Sequence, residues 1–317
     1  MYLTMYLSKK IYFMVLSDRG RETERPLRLM SIKLAHIGLG KCGSVFLNNI
    51  FKEIEKETNI KLINLFDFVD TKKTHALQKL SNLEKVLPNN FIISHRTLFS
   101  HGWEFNQIYK SFELNKKNFS KHVTILIIIR NPYELLNSIY CQSIHVMNII
   151  KPQDFFYVED NDIVRKEGRF NLFNFNYEKL IFLYKSYFEN VIVIKHEELD
   201  DLNFLKRIFN INDEVLKNLQ NLQKKTYNRS ISRYGINFIL FLNKFLDLNK
   251  YQRLVRNNIK QPNSILSKIR NKFLYQLLLR EFFQNKFDKI FPYKKYYIDK
   301  KTIPINLEKL INDYDKL

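Results

Sequence analysis

The feature that most constrains the fold is a nearly unbroken apolar run, residues 123–129, which ends in Arg130. Such runs are typical of central strands in a parallel sheet, because these strands are covered by helices on both faces. Four further strand-like segments alternate with helix-like segments along the chain: 32–38, 60–66, 91–95 and 191–195. This alternation predicts an α/β fold, with a parallel, doubly wound sheet of about five strands and helices on both faces.

After residue 200 the strand signal disappears and the pattern is helical. The predicted helices cover about 43–57, 74–86, 132 onward, 175–188, 200–209, 213–224, 236–246 and 265–287. We therefore expect a core at 31–235 and a helical C-terminal region at 236–317 that packs on it. Residues 1–30 have a different pattern, which indicates a disordered extension or a start at Met30.

The net charge of +20 favours an anionic partner, and residues 224–317 carry +14 of it, with 21 Lys or Arg and 7 Asp or Glu. An alternative explanation is an A/T-rich genome, whose codons favour Lys, Asn, Ile, Phe and Tyr and would produce the same excess of positive charge. No familiar nucleic-acid-binding signature accompanies the charge, so no nucleic-acid partner is expected, whereas peripheral membrane contact through the basic C-terminal region stays open. Two cysteines exclude a disulfide framework, and 45% apolar residues exclude a disordered chain.

A glycine-bearing loop joins the first strand to the first helix in the segment HIGLGKCGSVFL, residues 36–47. Glycines let the backbone approach an anion closely, and amides at a helix N-terminus point at it. Lys41 adds a cation and Ser44 adds a hydroxyl. The segment therefore predicts a phosphate-binding loop, with an ordinary tight turn as the alternative.

This segment partly resembles two named loop patterns. A Walker A loop places its lysine after the last glycine, whereas here Lys41 precedes Gly43. The spacing of Gly38, Gly40 and Gly43 does match a dinucleotide-binding loop. The acidic residue of that pattern would be Asp67 or Asp70, so this alternative stays open for the segment.

A second predicted anion site begins where the strongest strand ends. Arg130 lies at the carboxyl end of that strand, the edge at which parallel sheets bind ligands. Ser138 follows eight residues later on the next helix, and a guanidinium with a hydroxyl can hold a phosphate. The alternative is that Arg130 pairs with Glu134 and that Ser138 is a surface residue.

Together these two segments resemble the nucleotide-binding elements of sulfotransferases that use 3′-phosphoadenosine 5′-phosphosulfate (PAPS). In that family a loop P-K-[ST]-G-T-T binds the 5′-phosphosulfate. A strand ending in R-[ND]-P, with serine eight residues beyond the arginine, binds the 3′-phosphate. This chain has GKCGSVFL at 40–47 and RNP at 130–132, with Ser138 and Tyr140 in register. Val45 in place of threonine and Gly40 in place of proline are departures that put the 5′ contact in doubt.

The resemblance covers about 32–235 and includes VIVIKHEEL at 191–199, where Glu197 and Glu198 are interpreted as structural. It implies a P-loop-like fold and an enzyme that moves a sulfuryl group from PAPS to a hydroxyl or amine, leaving adenosine 3′,5′-bisphosphate (PAP). It implies Lys41 as the catalytic cation and His95 as the base, with His75 and His101 as rivals. The implied nucleotide-binding residues are Gly40, Lys41, Cys42, Gly43, Ser44, Val45, Phe46, Arg130 and Ser138.

Further expectations accompany the resemblance. Arg229 and Arg233 are candidates for a basic loop over the nucleotide, unless they are plain surface arginines. No metal is implied, because the protein supplies the cations. The acceptor is expected to be a carbohydrate, a lipid head group or a small metabolite, and the enzyme to be cytoplasmic and bacterial, since no segment is long enough to span a membrane.

Two other functions remain as alternatives: a P-loop-like kinase or phosphotransferase, and a non-enzymatic anion- or nucleic-acid-binding protein on the same fold. One chemical question is also open at Cys42. The sequence favours chance occupancy of a small position by this thiol, and a pKa lowered by the neighbouring amides and Lys41 is the alternative.

Overall fold

The structure, a computed structural model, describes residues 32–64, 82–95, 98–99, 105–145, 148–160, 168–223, 231–246, 290–291 and 293–317. The predictions for residues 1–30 and for a helix at 265–287 lie outside the described residues, as do Arg229, His75, His101, Asp67 and Asp70.

A five-stranded, all-parallel sheet forms the centre of the fold. In chain order its strands are β1 (Lys33–Ile37), β2 (Lys61–Ile63), β3 (Phe91–His95), β4 (Thr124–Ile129) and, after two short strands, β7 (Val191–Lys195). Their order across the sheet is β2-β3-β1-β4-β7, and β1 is paired with both β3 and β4. This confirms the predicted parallel, doubly wound, P-loop-like α/β fold.

The central strands are buried because helices cover the sheet. Residues Ile125–Ile129 of β4 are fully buried, as the unbroken apolar run predicted. The helices are α1 (Ser44–Glu57), α2 (Ile108–Asn118), α3 (Pro132–His145), α4 (Pro152–Phe155), α5 (Tyr177–Lys185), α6 (Phe204–Phe209), α7 (Asp213–Gln223), α8 (Arg233–Leu246) and α9 (Leu307–Lys316).

Several elements differ from the sequence prediction. Leu83–Val86 is a short 3-10 helix rather than the end of an α-helix. Helix α6 begins at Phe204 rather than near residue 200, because His196–Asp200 forms a 3-10 turn and Leu202 has a φ of 57°, outside helical geometry. Helices α2 and α9 were not predicted, nor was the two-stranded parallel pair of β5 (Phe156–Tyr157) and β6 (Phe170–Asn171).

Aromatic residues of the β5–β6 region belong to the core. Phe155, Phe156 and Phe170 are buried, and their rings pack on one another at centroid distances of 4.8–6.4 Å. These rings therefore form part of the hydrophobic core. Across the part of the chain that the structure describes, no helix has the length and apolar character needed to cross a bilayer.

Candidate functional site

The loop after β1 is compact and closes on itself through backbone hydrogen bonds. The Leu39 amide donates to the Ile37 carbonyl over 3.0 Å, and the Cys42 amide donates to the Leu39 carbonyl over 3.3 Å. Ser44 Oγ also donates to the Leu39 carbonyl, over 3.2 Å. The Cys42 amide, one of those predicted to hold the 5′ group, is therefore engaged within the loop.

Two residues of this loop have left-handed backbone conformations. Lys41 has a φ of 67° and Gly43, the N-cap of α1, has a φ of 82°. Glycine suits the second position for another reason, because a Cβ there would lie 2.6 Å from Leu199 Cδ1 and 3.7 Å from His196 Cδ2. The missing side chain lets the start of α1 pack against the turn after β7.

Arg130 joins the two predicted anion elements. It follows β4, and its Nη1 donates to the carbonyl of Lys41 over 3.0 Å, so the second element fixes the backbone of the first. Its own carbonyl accepts a hydrogen bond of 2.8 Å from the buried Tyr177 hydroxyl. Its Nη2 lies 3.6 Å from Glu134 Oε2, so the predicted alternative pairing with Glu134 is also present.

One face of α3 lines the space next to this contact. Glu134, Ser138 and Gln142 are spaced four residues apart, so their side chains lie along the same face of the helix. Lys41 Nζ donates to Gln142 Oε1 over 3.2 Å, and Arg130 reaches Glu134. Ser138 is half-buried and lies between these two contacts along the face. The structure therefore brings Lys41 and Arg130 together and places Ser138 on the helix face that both side chains contact.

A C-terminal segment, residues 293–298, which we call the C-terminal strap, lies along α3 and adds a cation. Lys295 Nζ forms an ion pair with Glu134. The strap is held by the Ile298 amide, which donates to Asn137 Oδ1 over 2.7 Å, and by the Tyr133 hydroxyl, which donates to the Ile298 carbonyl over 2.5 Å. Lys295 was not predicted, because its position depends on contacts with residues far away in sequence.

Arg233 lies near the strap rather than inside the site. Its amide donates to the carbonyl of Lys294 over 2.7 Å, so the start of α8 is anchored to the strap. Its side chain is exposed. Burial raises the pKa of the neighbouring Tyr296 phenol, and the charge of Arg233 opposes this shift in part. Arg233 therefore contacts the segment that carries Lys295, whereas Arg229 lies outside the described residues.

His95, the predicted base, lies at the same edge of the sheet as the loop. It is half-buried at the end of β3 and is in register with Ile37, the last residue of β1. One step inside the sheet, His36 Nδ1 lies 2.7 Å from Ser94 Oγ. His36 is fully buried, its Nε2 has no hydrogen-bond partner among the described residues, and burial lowers its pKa to about 4. This histidine is therefore neutral near pH 7 and is a core residue.

His196 is a site residue that the sequence reasoning missed. It follows β7 next to Gly43, and burial lowers its pKa, an effect that the charge of Arg130 reinforces and that of Glu197 opposes. A neutral imidazole here can exchange hydrogen bonds with a bound anion or nucleoside. The sequence signal for it is the HEEL turn, in which His196 directly precedes the two carboxylates.

Those two carboxylates have the structural role that was predicted for them. Glu198 Oε1 accepts from the Lys195 amide over 2.9 Å, and Glu197 Oε2 accepts from the Tyr314 hydroxyl of α9 over 2.5 Å. The alternative interpretation of Cys42 as a thiol with a lowered pKa is wrong. Cys42 is fully buried, and burial raises the pKa of its thiol to about 12, against a smaller opposing effect of Arg130.

The electrostatic character of the site is positive. Lys41, Arg130 and Lys295 converge on one face of α3, where Glu134 is the carboxylate that contacts two of them. Within the described ranges, no cluster of three or more His, Cys, Asp or Glu side chains is arranged to hold a metal ion. The arrangement suits an anion that carries more than one charge.

The chain matches no protein-family model, no curated protein and no solved structure.

Proposed function

We propose that this protein is a sulfotransferase that moves a sulfuryl group from PAPS to a hydroxyl or amine. One observation supports this proposal most strongly: Arg130 Nη1 donates to the Lys41 carbonyl over 3.0 Å, although the two residues are 89 positions apart. The loop and the R-N-P element, each suited to one phosphate-like group, thus meet at the carboxyl edge of β1 and β4. A nucleotide with anionic groups at both its 5′ and its 3′ positions fits two adjacent anion sites.

The loop and the start of α1 would hold the 5′ group. The residues assigned to it are Gly40, Lys41, Gly43, Ser44, Val45 and Phe46, with Lys41 supplying the charge. Cys42, whose amide donates to the Leu39 carbonyl, shapes the loop instead. Amides at the first turn of α1 carry the positive end of the helix dipole. Arg130 and Ser138 would hold the 3′-phosphate, and Lys295 would add a charge-assisted hydrogen bond to the same group.

Transfer of the sulfuryl group is an in-line displacement. The bond between sulfur and the bridging oxygen of the 5′-phosphate breaks, and a bond between sulfur and the acceptor oxygen or nitrogen forms. Lys41 stabilises the negative charge that develops on the bridging oxygen as PAP leaves. His95 takes the proton that the acceptor loses, a task suited to an imidazole whose ordinary pKa lies near 6.5.

The acceptor belongs to this proposal only as a class: a carbohydrate, a lipid head group or a small metabolite. A cytoplasmic location in a bacterium, and peripheral membrane contact through the basic C-terminal region, also remain predictions.

Calorimetric titration of the full chain with PAP, ATP and NAD tests the proposal. We expect PAP to bind at a 1:1 ratio, with ATP and NAD weaker by at least about tenfold, which corresponds to about 1.4 kcal/mol. Tight ATP binding without PAP binding would instead favour a phosphotransferase, and preferential NAD binding a dinucleotide enzyme. Failure of PAP to bind at all would refute the sulfotransferase assignment.

The role of His95 is tested separately from nucleotide binding. PAP release from PAPS is measured with a panel of sugar and phenol acceptors for His95→Ala and for His122→Ala, an exposed histidine that pairs with Glu189. We expect His95→Ala to lower turnover by about 100-fold or more with PAP affinity retained, since general bases contribute on that order. Equal turnover in the two variants would remove His95 from the mechanism.

A further inference from the structure

Glu134 lies between the cations that the proposed function assigns to the 3′-phosphate. Its Oε2 is 3.6 Å from Arg130 Nη2 and forms an ion pair with Lys295 Nζ. The three side chains are 18%, 27% and 38% exposed for Arg130, Glu134 and Lys295, so water screens these charges only in part. We propose that Glu134 is a built-in competitor for the anion site, which the 3′-phosphate must displace from Arg130 and Lys295. This inference rests on the proposed function.

Position along α3 supports the competition. Glu134 lies in the first turn of α3 and one turn before Ser138, and its carboxylate contacts both Arg130, which precedes the helix, and Lys295 of the strap. Its carboxylate therefore occupies donors of the two cations that would hold the phosphate. A carboxylate and a phosphate use the same donors of a guanidinium, so the two anions cannot both be fully bonded.

Displacement of this carboxylate requires a side-chain rotation rather than a change of fold. The first turn of α3 is fixed by Asn131 Oδ1, which accepts from the amides of Tyr133 at 3.1 Å and Glu134 at 3.3 Å. After rotation the carboxylate still lies in the first turn of a helix, where negative charge is favourable. The strap keeps its place as well, because its hydrogen bonds through Ile298 do not involve Glu134.

The competition has opposite effects on the empty and the occupied protein. In the empty protein Glu134 compensates the repulsion among Lys41, Arg130 and Lys295, which favours the folded state. On binding, a phosphate with about two negative charges replaces a carboxylate with one. Removing the charge of Glu134 should therefore tighten binding of the 3′-phosphate and lower the melting temperature of the empty protein.

The test compares Glu134→Gln with the wild type and with Glu113→Gln, which removes the same charge from an exposed residue of α2. Titrations use PAP, AMP and inorganic sulfate at low salt. We expect Glu134→Gln to bind PAP about five- to tenfold more tightly, since ion pairs that are partly buried contribute on that order. The affinity for AMP, which lacks the 3′-phosphate, should change by less than about twofold. Sulfate should raise the melting temperature of Glu134→Gln more than that of Glu113→Gln.

The outcomes separate the competition from the sulfotransferase proposal. If the wild type binds PAP but Glu134→Gln binds it no more tightly than Glu113→Gln, or if AMP gains as much as PAP, the competition is refuted. If no form binds PAP while sulfate still favours Glu134→Gln, the competition stands and the sulfotransferase proposal falls. If Glu134→Gln does not fold, Glu134→Asp serves: its withdrawn carboxylate should give an intermediate gain in PAP affinity, and no gain refutes the competition.

Discussion

The loop at 38–43 and the C-terminal strap bring positive charge to the same face of α3 by different means. The loop is built from local contacts, since its hydrogen bonds join residues two to five positions apart. The strap is held by side chains of α3 that lie 161 and 165 positions away, through Asn137 and Tyr133. A local anion site can therefore be inferred from a short motif, whereas a cation delivered over a long distance cannot.

The largest expected effect concerns the strand beneath the loop. Burial holds the pKa of His36 at about 4, below its ordinary 6.5, so between these values the unfolded chain binds a proton that the folded chain does not. The free energy of unfolding should therefore fall as the pH falls through this window, by up to roughly 3 kcal/mol, and His36 should contribute no slope above it. Urea unfolding at pH 4.5–7.5 measures this slope.

His36→Gln should flatten that slope, leaving the smaller part due to His196, whose pKa burial also lowers. His122→Gln at an exposed position is the matched control and should keep the wild-type slope. Hydrogen exchange should show that acid weakens β1 and its loop before the strap. An unchanged slope in His36→Gln would contradict the role of His36. An equal loss of hydrogen-exchange protection in the β1 loop and in the C-terminal strap would show that acid does not distinguish the two regions.

Gly43→Ala should produce the next largest effect, because it strains the loop. Its φ of 82° disfavours any side chain, and the new Cβ would lie 2.6 Å from Leu199 Cδ1. We expect the free energy of unfolding to drop by about 2 kcal/mol and PAP affinity to fall by about tenfold. Chemical denaturation measures the first effect and calorimetry the second. A Gly43→Ala variant with the wild-type free energy of unfolding and the wild-type PAP affinity would show that the loop accepts a different backbone conformation at this position.

Asn137→Ala tests the strap from the α3 side. The buried Asn137 amide donates to the Tyr133 carbonyl at 2.9 Å and accepts from the Ile298 amide at 2.7 Å. Because the Ile298 amide loses its partner, the free energy of unfolding should fall by about 1.5 kcal/mol. PAP binding should also weaken, since Lys295 is no longer held in place. Asn203→Ala at an exposed position is the control. Equal losses for PAP and AMP would show that the strap does not serve the 3′-phosphate.

Lys41→Gly should have the smallest effect on stability, and in the opposite direction. Its φ of 67° is unfavourable for lysine and neutral for glycine, so the free energy of unfolding should rise by up to about 1 kcal/mol. PAP binding should nevertheless weaken, because the ammonium is lost. The same denaturation series measures this change. A lower free energy of unfolding in Lys41→Gly would show that contacts of the side chain, such as that with Gln142, outweigh the backbone strain.

Comparison of these regions also explains how much could be predicted from the sequence. Strands β1 and β4 were predictable because both are buried on two faces and their composition shows it. The proximity of Arg130 to Lys41 was predictable because the carboxyl ends of adjacent parallel strands share one edge. The fold and half of the candidate site therefore follow from local patterns.

The remaining features depend on tertiary contacts. Lys295 reaches the site through the strap, and His196 matters because Gly43 leaves space beside it. Sequence neighbours suggested a lowered pKa for the Cys42 thiol, but the packing around it has the larger effect and raises that pKa. Helix α9 was missed as well, although Leu307 and Tyr314 are buried on its inner face.

The most direct test of the central claim is a titration of PAP, AMP and adenosine 3′-monophosphate into the wild type, Ser138→Ala and Lys41→Met. We predict that the two variants lose affinity for different ligands. Ser138→Ala should weaken PAP and the 3′-monophosphate several-fold with AMP unchanged, and Lys41→Met should weaken PAP and AMP with the 3′-monophosphate unchanged. Binding of none of the three, or equal loss of all three in both variants, would contradict a nucleotide held at its two ends by these two elements.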